Sequence, residues 1–71
     1  MSVLEVKFDD SEFDRAAKFF EFESDFYGEE FEEDSMIEFD VDGIEDADAT
    51  EMELTKELMA NGFESFQFAL N

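Results

Sequence analysis

The chain has 71 residues, of which 23 are Asp or Glu and four are Lys or Arg, so its formal net charge is −19 at pH 7. It contains no His and no Cys; without them the usual nucleophile and base pairs cannot be assembled, and we expect no enzyme activity. So acidic a surface repels nucleic acids and anionic membranes, which leaves a basic protein as the favoured partner.

One domain over residues 1–71 is predicted, because this length is near the lower limit for a single hydrophobic core and the chain has no Pro, linker or repeat. The 11 Phe residues are the main apolar material for that core. No apolar run approaches membrane-spanning length, and the N-terminus lacks the pattern of a signal peptide. We therefore expect a cytoplasmic protein.

The first elements in the chain are a strand and a helix. Residues 3–8 alternate, which predicts a strand with Leu4, Val6 and Phe8 on its buried side. Ser11 and Asp14 have the spacing of a capping box, which predicts a helix over residues 11–20. One face of this helix is apolar and carries Phe13, Ala16, Ala17 and Phe20.

Residues 20–26 fit two interpretations. Phe20, Phe22 and Phe26 could extend the helix, whereas the alternation of Phe20 and Phe22 with glutamates is also typical of a short strand. Both interpretations stay open on the sequence alone. Tyr27 and Gly28 then predict a turn.

The second half of the chain predicts a strand, a helix and a last strand. Residues 37–42 alternate between apolar and acidic side chains, which predicts a strand with a wholly acidic outward face that ends at Gly43. The candidate N-caps of the following helix are Asp46, Asp48 and Thr50. Its expected core anchors are Met52, Leu54, Leu58 and Met59. The helix is expected to end in a C-cap at Asn61 and Gly62. Phe66, Phe68 and Leu70 alternate with polar or small residues in a last strand.

This order, β-α-β-α-β with a fourth strand possible near Phe22, predicts a small α+β two-layer sandwich. Because each strand alternates, only one face of the three- or four-stranded sheet should be buried, and both helices should cover it. The other face should display Glu5, Glu38, Asp40 and Asp42.

Residues 19–55, the acidic span, contain 16 of the 23 acids and no basic residue. The span is also rich in aromatic side chains, which acidic disordered segments lack, so we expect it to be ordered. Its candidate partner contacts are Glu29, Glu30, Glu32, Glu33, Asp34, Glu38, Asp40, Asp42, Glu45, Asp46 and Asp48. Alternate strand residues project every ~6.6 Å, about twice the ~3.4 Å phosphate spacing of one DNA strand. The carboxylates could therefore imitate roughly every second phosphate.

A calcium site was also considered, because Glu38, Asp40, Asp42 and Gly43 fall on positions 1, 3, 5 and 6 of an EF-hand loop. Position 12 of that loop would be Ala49 instead of the bidentate Glu, and the preceding segment has the pattern of a strand. We expect no dedicated metal site and no cofactor.

In size, charge and the combination of an aromatic core with an acidic surface, the chain resembles the phage-encoded DNA-mimic inhibitors, among them anti-restriction proteins, uracil-DNA glycosylase inhibitors and small anti-CRISPR proteins. The resemblance is one of composition, without a shared motif. It implies a phage protein in the host cytoplasm that blocks the cationic nucleic-acid groove of a defence complex, such as a CRISPR-Cas or restriction system.

Two alternatives remain at this stage. One is an acidic immunity or antitoxin module that neutralises a basic protein, and the other is a small domain adapted to high salt, for which evenly spread acids would be expected. Some Phe residues between Phe19 and Phe31 should also be exposed, since so small a domain cannot bury all of them. These would support a homodimer or an aromatic anchor for the partner, with Phe26 and Phe31 as candidates.

Overall fold

The computed structural model describes residues 2–71 as four strands, two α-helices and one 3-10 turn. In chain order these are β1 (Ser2–Lys7), α1 (Asp10–Phe22), β2 (Glu29–Phe31), the 3-10 turn (Glu32–Asp34), β3 (Met36–Val41), α2 (Ile44–Ala60) and β4 (Gln67–Leu70). The strands form one antiparallel sheet in the order β2-β3-β1-β4. The predicted α+β class is confirmed.

The core lies between the helices and one face of the sheet. Alternate residues of the central strands β1 and β3 are buried, as are the inward stripes of both helices. The buried apolar side chains are Leu4, Val6, Phe8, Phe13, Ala16, Ala17, Phe19, Phe20, Ile37, Phe39, Val41, Ala47, Leu54, Leu58 and Phe63. The opposite face of the sheet carries no helix, as the alternation predicted.

The ambiguous segment is helical as far as Phe22, and the fourth strand lies later, at β2. Phe19 and Phe20 are both buried, whereas Phe22 is 75% exposed. Two adjacent buried residues fit a helix lying on a core and contradict a strand, whose neighbours point to opposite faces. The position considered for a fourth strand, near Phe22, is therefore wrong. The sheet does have four strands, and the fourth is β2.

The start of α1 differs from the predicted capping box of Ser11 and Asp14. The N-cap is Asp9, whose carbonyl accepts hydrogen bonds from the N–H groups of Glu12 (2.9 Å) and Phe13 (3.0 Å). The Ser11 hydroxyl donates to the Asp9 carboxylate at 2.6 Å. The helix starts at Asp10, one residue earlier than the predicted range, and the Asp9 side chain makes no hydrogen bond to the helix N–H groups.

Glu12 fixes the chain before β4 to the start of α1. Its carboxylate accepts hydrogen bonds from the Ser65 hydroxyl (2.7 Å), the Ser65 N–H (3.0 Å) and the Glu64 N–H (3.2 Å). The bonds from Ser65 are the main reason that the pKa of Glu12 lies below its ordinary value, with a smaller contribution from the charge of Arg15.

Helix α2 begins at Ile44 with Gly43 as N-cap, so Asp46, Asp48 and Thr50 lie inside the helix and do not cap it. The inward stripe is Ala47, Leu54 and Leu58, at helical spacing. Met52 and Met59 lie about a third of a turn away from that stripe, where they are 63% and 67% exposed. Their prediction as core anchors is wrong, because the sequence offered more apolar residues than one stripe can accommodate.

The C-terminal end of α2 is a Schellman motif, which confirms the predicted end at Asn61 and Gly62. The Phe63 N–H donates to the Leu58 carbonyl at 3.0 Å and the Gly62 N–H to the Met59 carbonyl at 3.2 Å. Gly62 has φ 81°, which suits glycine. The motif directs Phe63 into the core, where it packs against the rings of Phe8 and Phe19.

Gly28 lets the segment before β2 approach β3 closely. A Cβ atom at this position would lie 2.6 Å from Ile37 Cγ2 and 2.7 Å from Phe39 Cε1, which is well inside van der Waals contact. We expect Gly28→Ala to lower the free energy of unfolding by about 1–3 kcal/mol through overpacking, as measured by urea denaturation.

Phe39→Leu removes one of the two obstructing groups and provides a control for this prediction. In the double variant the cost of Gly28→Ala should be smaller than in the wild-type background, giving a coupling energy of about 0.5 kcal/mol or more. Strict additivity of the two substitutions would contradict the close packing of Gly28 on Phe39.

Candidate partner-binding surface

The strand register places three glutamates in one row across the open face of the sheet. Glu29 on β2 is paired with Glu38 on β3, and Glu38 is paired with Glu5 on β1. Neighbouring strands are ~4.8 Å apart, so these side chains are direct neighbours. Like charges placed directly opposite each other destabilise a sheet. The row therefore has a cost that the rest of the fold offsets.

Asp40 enlarges this row into a compact group. It follows Glu38 by two residues on β3, so it projects from the same face about 6.6 Å further along the strand. We call Glu5, Glu29, Glu38 and Asp40 the open-face cluster. Of these, Glu29 and Asp40 are exposed, whereas Glu5 and Glu38 are partly buried.

Little positive charge compensates the open-face cluster. Lys7 is the basic residue on this face, where it lies opposite Met36 on β3 and Gln67 on β4. In residues 2–71 the ion pairs are Arg15 with Glu12 at 3.2 Å and Lys56 with Glu53 at 3.8 Å, and both are on the helices. The carboxylates of Glu29, Glu38 and Asp40 are therefore available to an outside cation, whereas that of Glu5 accepts a hydrogen bond from the Asn71 side-chain amide.

The electrostatic effect of this crowding is clearest at Glu38, in the middle of the row. Partial burial is the largest cause that raises the pKa of Glu38 above its ordinary value. The negative charges of Glu5, Glu29 and Asp40 raise it further. A cation that binds here would relieve this repulsion as well as form new ion pairs.

A groove beside the cluster combines carboxylates with an exposed aromatic ring. Its lining residues are Tyr27, Gly28, Glu29, Glu30, Glu38 and Asp40. Tyr27 is 94% exposed, although a tyrosine ring this close to a core usually packs on it. An aromatic face next to carboxylates suits a guanidinium or ammonium group, which can stack on the ring and form charge-assisted hydrogen bonds.

The two aromatic residues proposed as anchors lie in different environments. Phe26 packs against the core, with its ring 6.3 Å from that of Phe39, so it is not the exposed side chain that the sequence suggested. Phe31 is paired with Met36 on the open face, where it is partly buried next to the glutamate row. Tyr27, which the sequence indicated only as part of a turn, is the more exposed aromatic.

The predicted contact residues fall into three regions. Glu29, Glu38 and Asp40 belong to the open-face cluster, and Glu30 projects from the other side of β2 into the groove. The exposed acids of the connection between β2 and β3 are Glu32, Glu33 and Asp34. The acids in the first turns of α2 and before it, on the helical side of the molecule, are Asp42, Glu45, Asp46 and Asp48.

Asp42 does not extend the acidic face of β3 as predicted, because the strand ends at Val41. Its N–H donates to the Asp46 carboxylate at 2.9 Å and so belongs to the start of α2. Glu5, in contrast, was expected on the open face but not among the contacts. Sequence alternation placed Glu5 on the correct side of β1, but only the pairing of β1 with β3 brings it next to Glu38.

The connection between β2 and β3 is fixed to the body of the domain. Ser35, at its end, is buried and has a left-handed backbone with φ 51°. Its hydroxyl donates to the Asp10 carboxylate at 2.5 Å, and its carbonyl accepts from the Phe8 N–H at 2.8 Å. The acids at 32–34 are therefore presented on an anchored turn.

No three acidic side chains in residues 2–71 converge in a way that could hold a metal ion. The segment whose first residues have EF-hand spacing is the end of β3 followed by the start of α2. None of the described helices is both long and apolar enough to cross a membrane.

Comparisons with protein-family models, curated proteins and solved structures found no match to this chain.

Glu38→Gln should raise the melting temperature at pH 7, because it removes the central charge of the glutamate row. The folded-state pKa of Glu38 is raised, so the native state binds more protons than the unfolded state, and stability falls as pH rises through that pKa. The gain should therefore shrink below about pH 4, where Glu is protonated in both states. Added salt should also reduce it by screening the repulsion.

Glu12→Gln is the control, because it should change the melting temperature in the opposite direction. Because the folded-state pKa of Glu12 is lowered, its stabilising contribution is present at pH 7 and is lost as pH falls through that pKa. This variant should melt at a lower temperature than the wild type at pH 7, with the difference vanishing in acid. A lower melting temperature of Glu38→Gln at pH 7 would contradict the repulsion in the row.

Proposed function

We propose that the protein is a non-catalytic inhibitor that occupies the cationic nucleic-acid-binding groove of a basic protein or complex and presents carboxylates in place of phosphates. The observation that carries the proposal is the open-face cluster: four carboxylates on three hydrogen-bonded strands, on a sheet face without a helix. The charge is thus presented on a rigid surface.

Rigidity matters because binding a flexible acidic chain would require that chain to be ordered. Here the strand pairing has already ordered the backbone that carries Glu5, Glu29 and Glu38. Because the surface of this protein is already rigid, it loses less conformational entropy on binding than a flexible chain would, and this favours affinity. A groove that normally exchanges counterions for phosphates can make the same exchange with this surface.

The spacing of the carboxylates is compatible with phosphate mimicry in two directions. Across the strands they are ~4.8 Å apart and along β3 about 6.6 Å, compared with ~3.4 Å between successive phosphates of one strand, measured along the helix axis. The exposed acids at 32–34 continue the surface beyond the end of the sheet. Asp34 borders the open face itself, where it lines a depression with Lys7 and Met36.

The groove at Tyr27 adds a position for a single cationic side chain. An arginine of the partner could stack on the Tyr27 ring while Glu29 or Asp40 accepts its hydrogen bonds. Such a contact would give the binding specificity that long-range charge alone does not provide. The acids of α2 lie in the other layer, and we assign them a role in long-range attraction of the partner.

The composition shared with phage DNA-mimic inhibitors extends this proposal to a target class. Under it, the target is a CRISPR-Cas or restriction complex and the site of action is the host cytoplasm. The target itself can be sought by capture from host lysate at low salt, followed by mass spectrometry. Release of the captured protein by added duplex DNA or RNA would identify it as one whose nucleic-acid site is occupied.

Reversing four acids of the β2 to β3 hairpin to Lys should abolish inhibition. The variant is Glu29→Lys, Glu30→Lys, Glu32→Lys and Glu33→Lys. Like charges brought together across an interface cost several kcal/mol, so we expect affinity to fall by about 100-fold or more. Titration of the target's nucleic-acid binding with each inhibitor variant measures this, and circular dichroism checks the fold.

The matched control reverses exposed acids elsewhere and has the same change in net charge: Asp14→Lys, Glu23→Lys, Glu53→Lys and Glu64→Lys. In residues 2–71 the carboxylates of these four residues accept no hydrogen bond, and the ion pair of Glu53 with Lys56 at 3.8 Å is exposed. The control should lose less than about tenfold in affinity. Equal impairment of both variants, or a target that binds inhibitor and nucleic acid together, would refute groove occupation.

A further inference from the structure

The outer edge of β4 has unpaired backbone groups. Val3 and Asn71 exchange both of their backbone hydrogen bonds, at 2.8 and 2.9 Å. In an antiparallel ladder such pairs alternate with pairs that make no bonds to each other, so the N–H and C=O groups of Phe68 and Leu70 point away from β1. Among residues 2–71 no backbone partner meets them.

This edge also lacks two of the features that usually prevent strand association, charged side chains and Pro. Residues 65–71 contain no charged side chain and no Pro, in a chain in which 38% of residues are charged. Native edge strands are commonly protected by charges, by Pro or by being very short. The other edge of this sheet follows that rule, because β2 has three residues and two of them are Glu29 and Glu30.

The apolar side chains of β4 are incompletely covered by the helices. Phe68 faces the helical layer opposite Val6 but is only partly buried, and its ring packs on that of Phe66 at 5.8 Å. Leu70, opposite the fully buried Leu4, is 43% exposed. The helices therefore do not extend over β4, and the apolar side chains of another strand could cover Phe68 and Leu70.

We infer that β4 pairs antiparallel with β4 of a second copy of this chain, about a two-fold axis at Phe68, to form a continuous eight-stranded sheet. Phe68 then faces the second copy's Phe68, and Leu70 faces the second copy's Phe66. The outward backbone groups of both copies are satisfied by each other. On the open face, Gln67 lies opposite the second copy's Ala69.

Of the two edges of the sheet, β4 is the one at which charge opposes a second copy least. Glu5 is paired with Ala69 and Lys7 with Gln67, so the row that contains Glu5 continues across the seam to Lys7 of the second copy. Three strand spacings of ~4.8 Å separate these two opposite charges, whereas any approach through β2 would bring glutamates together. An edge with no charges of its own is the place where two such acidic chains can meet.

Substitutions at the seam test both the dimer and its register. In Gln67→Glu with Ala69→Lys, opposite charges meet across the seam; in Gln67→Glu with Ala69→Glu, carboxylates meet instead. The two variants differ only at position 69. Sedimentation equilibrium from micromolar to millimolar protein should show a dimer for the wild type and the first variant, with loss of the dimer in the second. Salt should strengthen the wild-type dimer, because the two copies repel each other.

Leu70→Pro provides a second test that does not depend on charge. Its N–H points away from β1, so proline removes a bond of the proposed seam without breaking one inside the monomer. Circular dichroism should be unchanged and the dimer lost. In the wild type, amide hydrogen exchange of Phe68 and Leu70 should slow as protein concentration rises, whereas that of Ala69 should be slow throughout. A monomeric wild type at millimolar concentration, or a dimer retained by both the Ala69→Glu and Leu70→Pro variants, would overturn the inference.

Discussion

The antiparallel pairing of β1 with β3 is the constraint on which the rest of the molecule depends. On one face it brings Leu4 and Val6 beside Phe39 and Ile37, the centre of the core. On the other face the same hydrogen bonds bring Glu5 beside Glu38. Because side chains alternate along a strand, neither arrangement can change without the other. The apolar burial that holds the sheet together therefore also holds the carboxylates in place against their repulsion.

Alternation and capping chemistry were sufficient to predict the class of the fold, the bare face of the sheet and the end of α2 at Gly62. They were insufficient where neighbouring residues offer the same chemistry. Asp9 and Ser11 are both residue types that N-cap positions favour, and the structure has its N-cap at Asp9, two residues after the end of β1. Met52 and Leu54 are both apolar, but the stripe that rests on the sheet includes only Leu54. In each case the position of a neighbouring element decides.

The candidate surface was predictable in composition but not in geometry. The acidic span contains Glu29, Glu38 and Asp40, which the strand pairing places on one face of the sheet, but the sequence gives no information about which strands are neighbours. That is why Glu5, which lies outside the span but next to Glu38, was not among the predicted contacts. The sequence also gives no sign that Tyr27 is exposed while Gly28, the next residue, packs closely on β3.

The central position of β1 has a consequence for how the chain folds. β2 and β3 are close in sequence and can form a hairpin early, whereas β1 must pair with both β3 and β4, segments that come much later. Such non-local pairing is the slow part of folding. The repulsion between Glu5 and Glu38 arises only when β1 docks beside the hairpin, so the acidic surface opposes the same non-local step that completes the sheet.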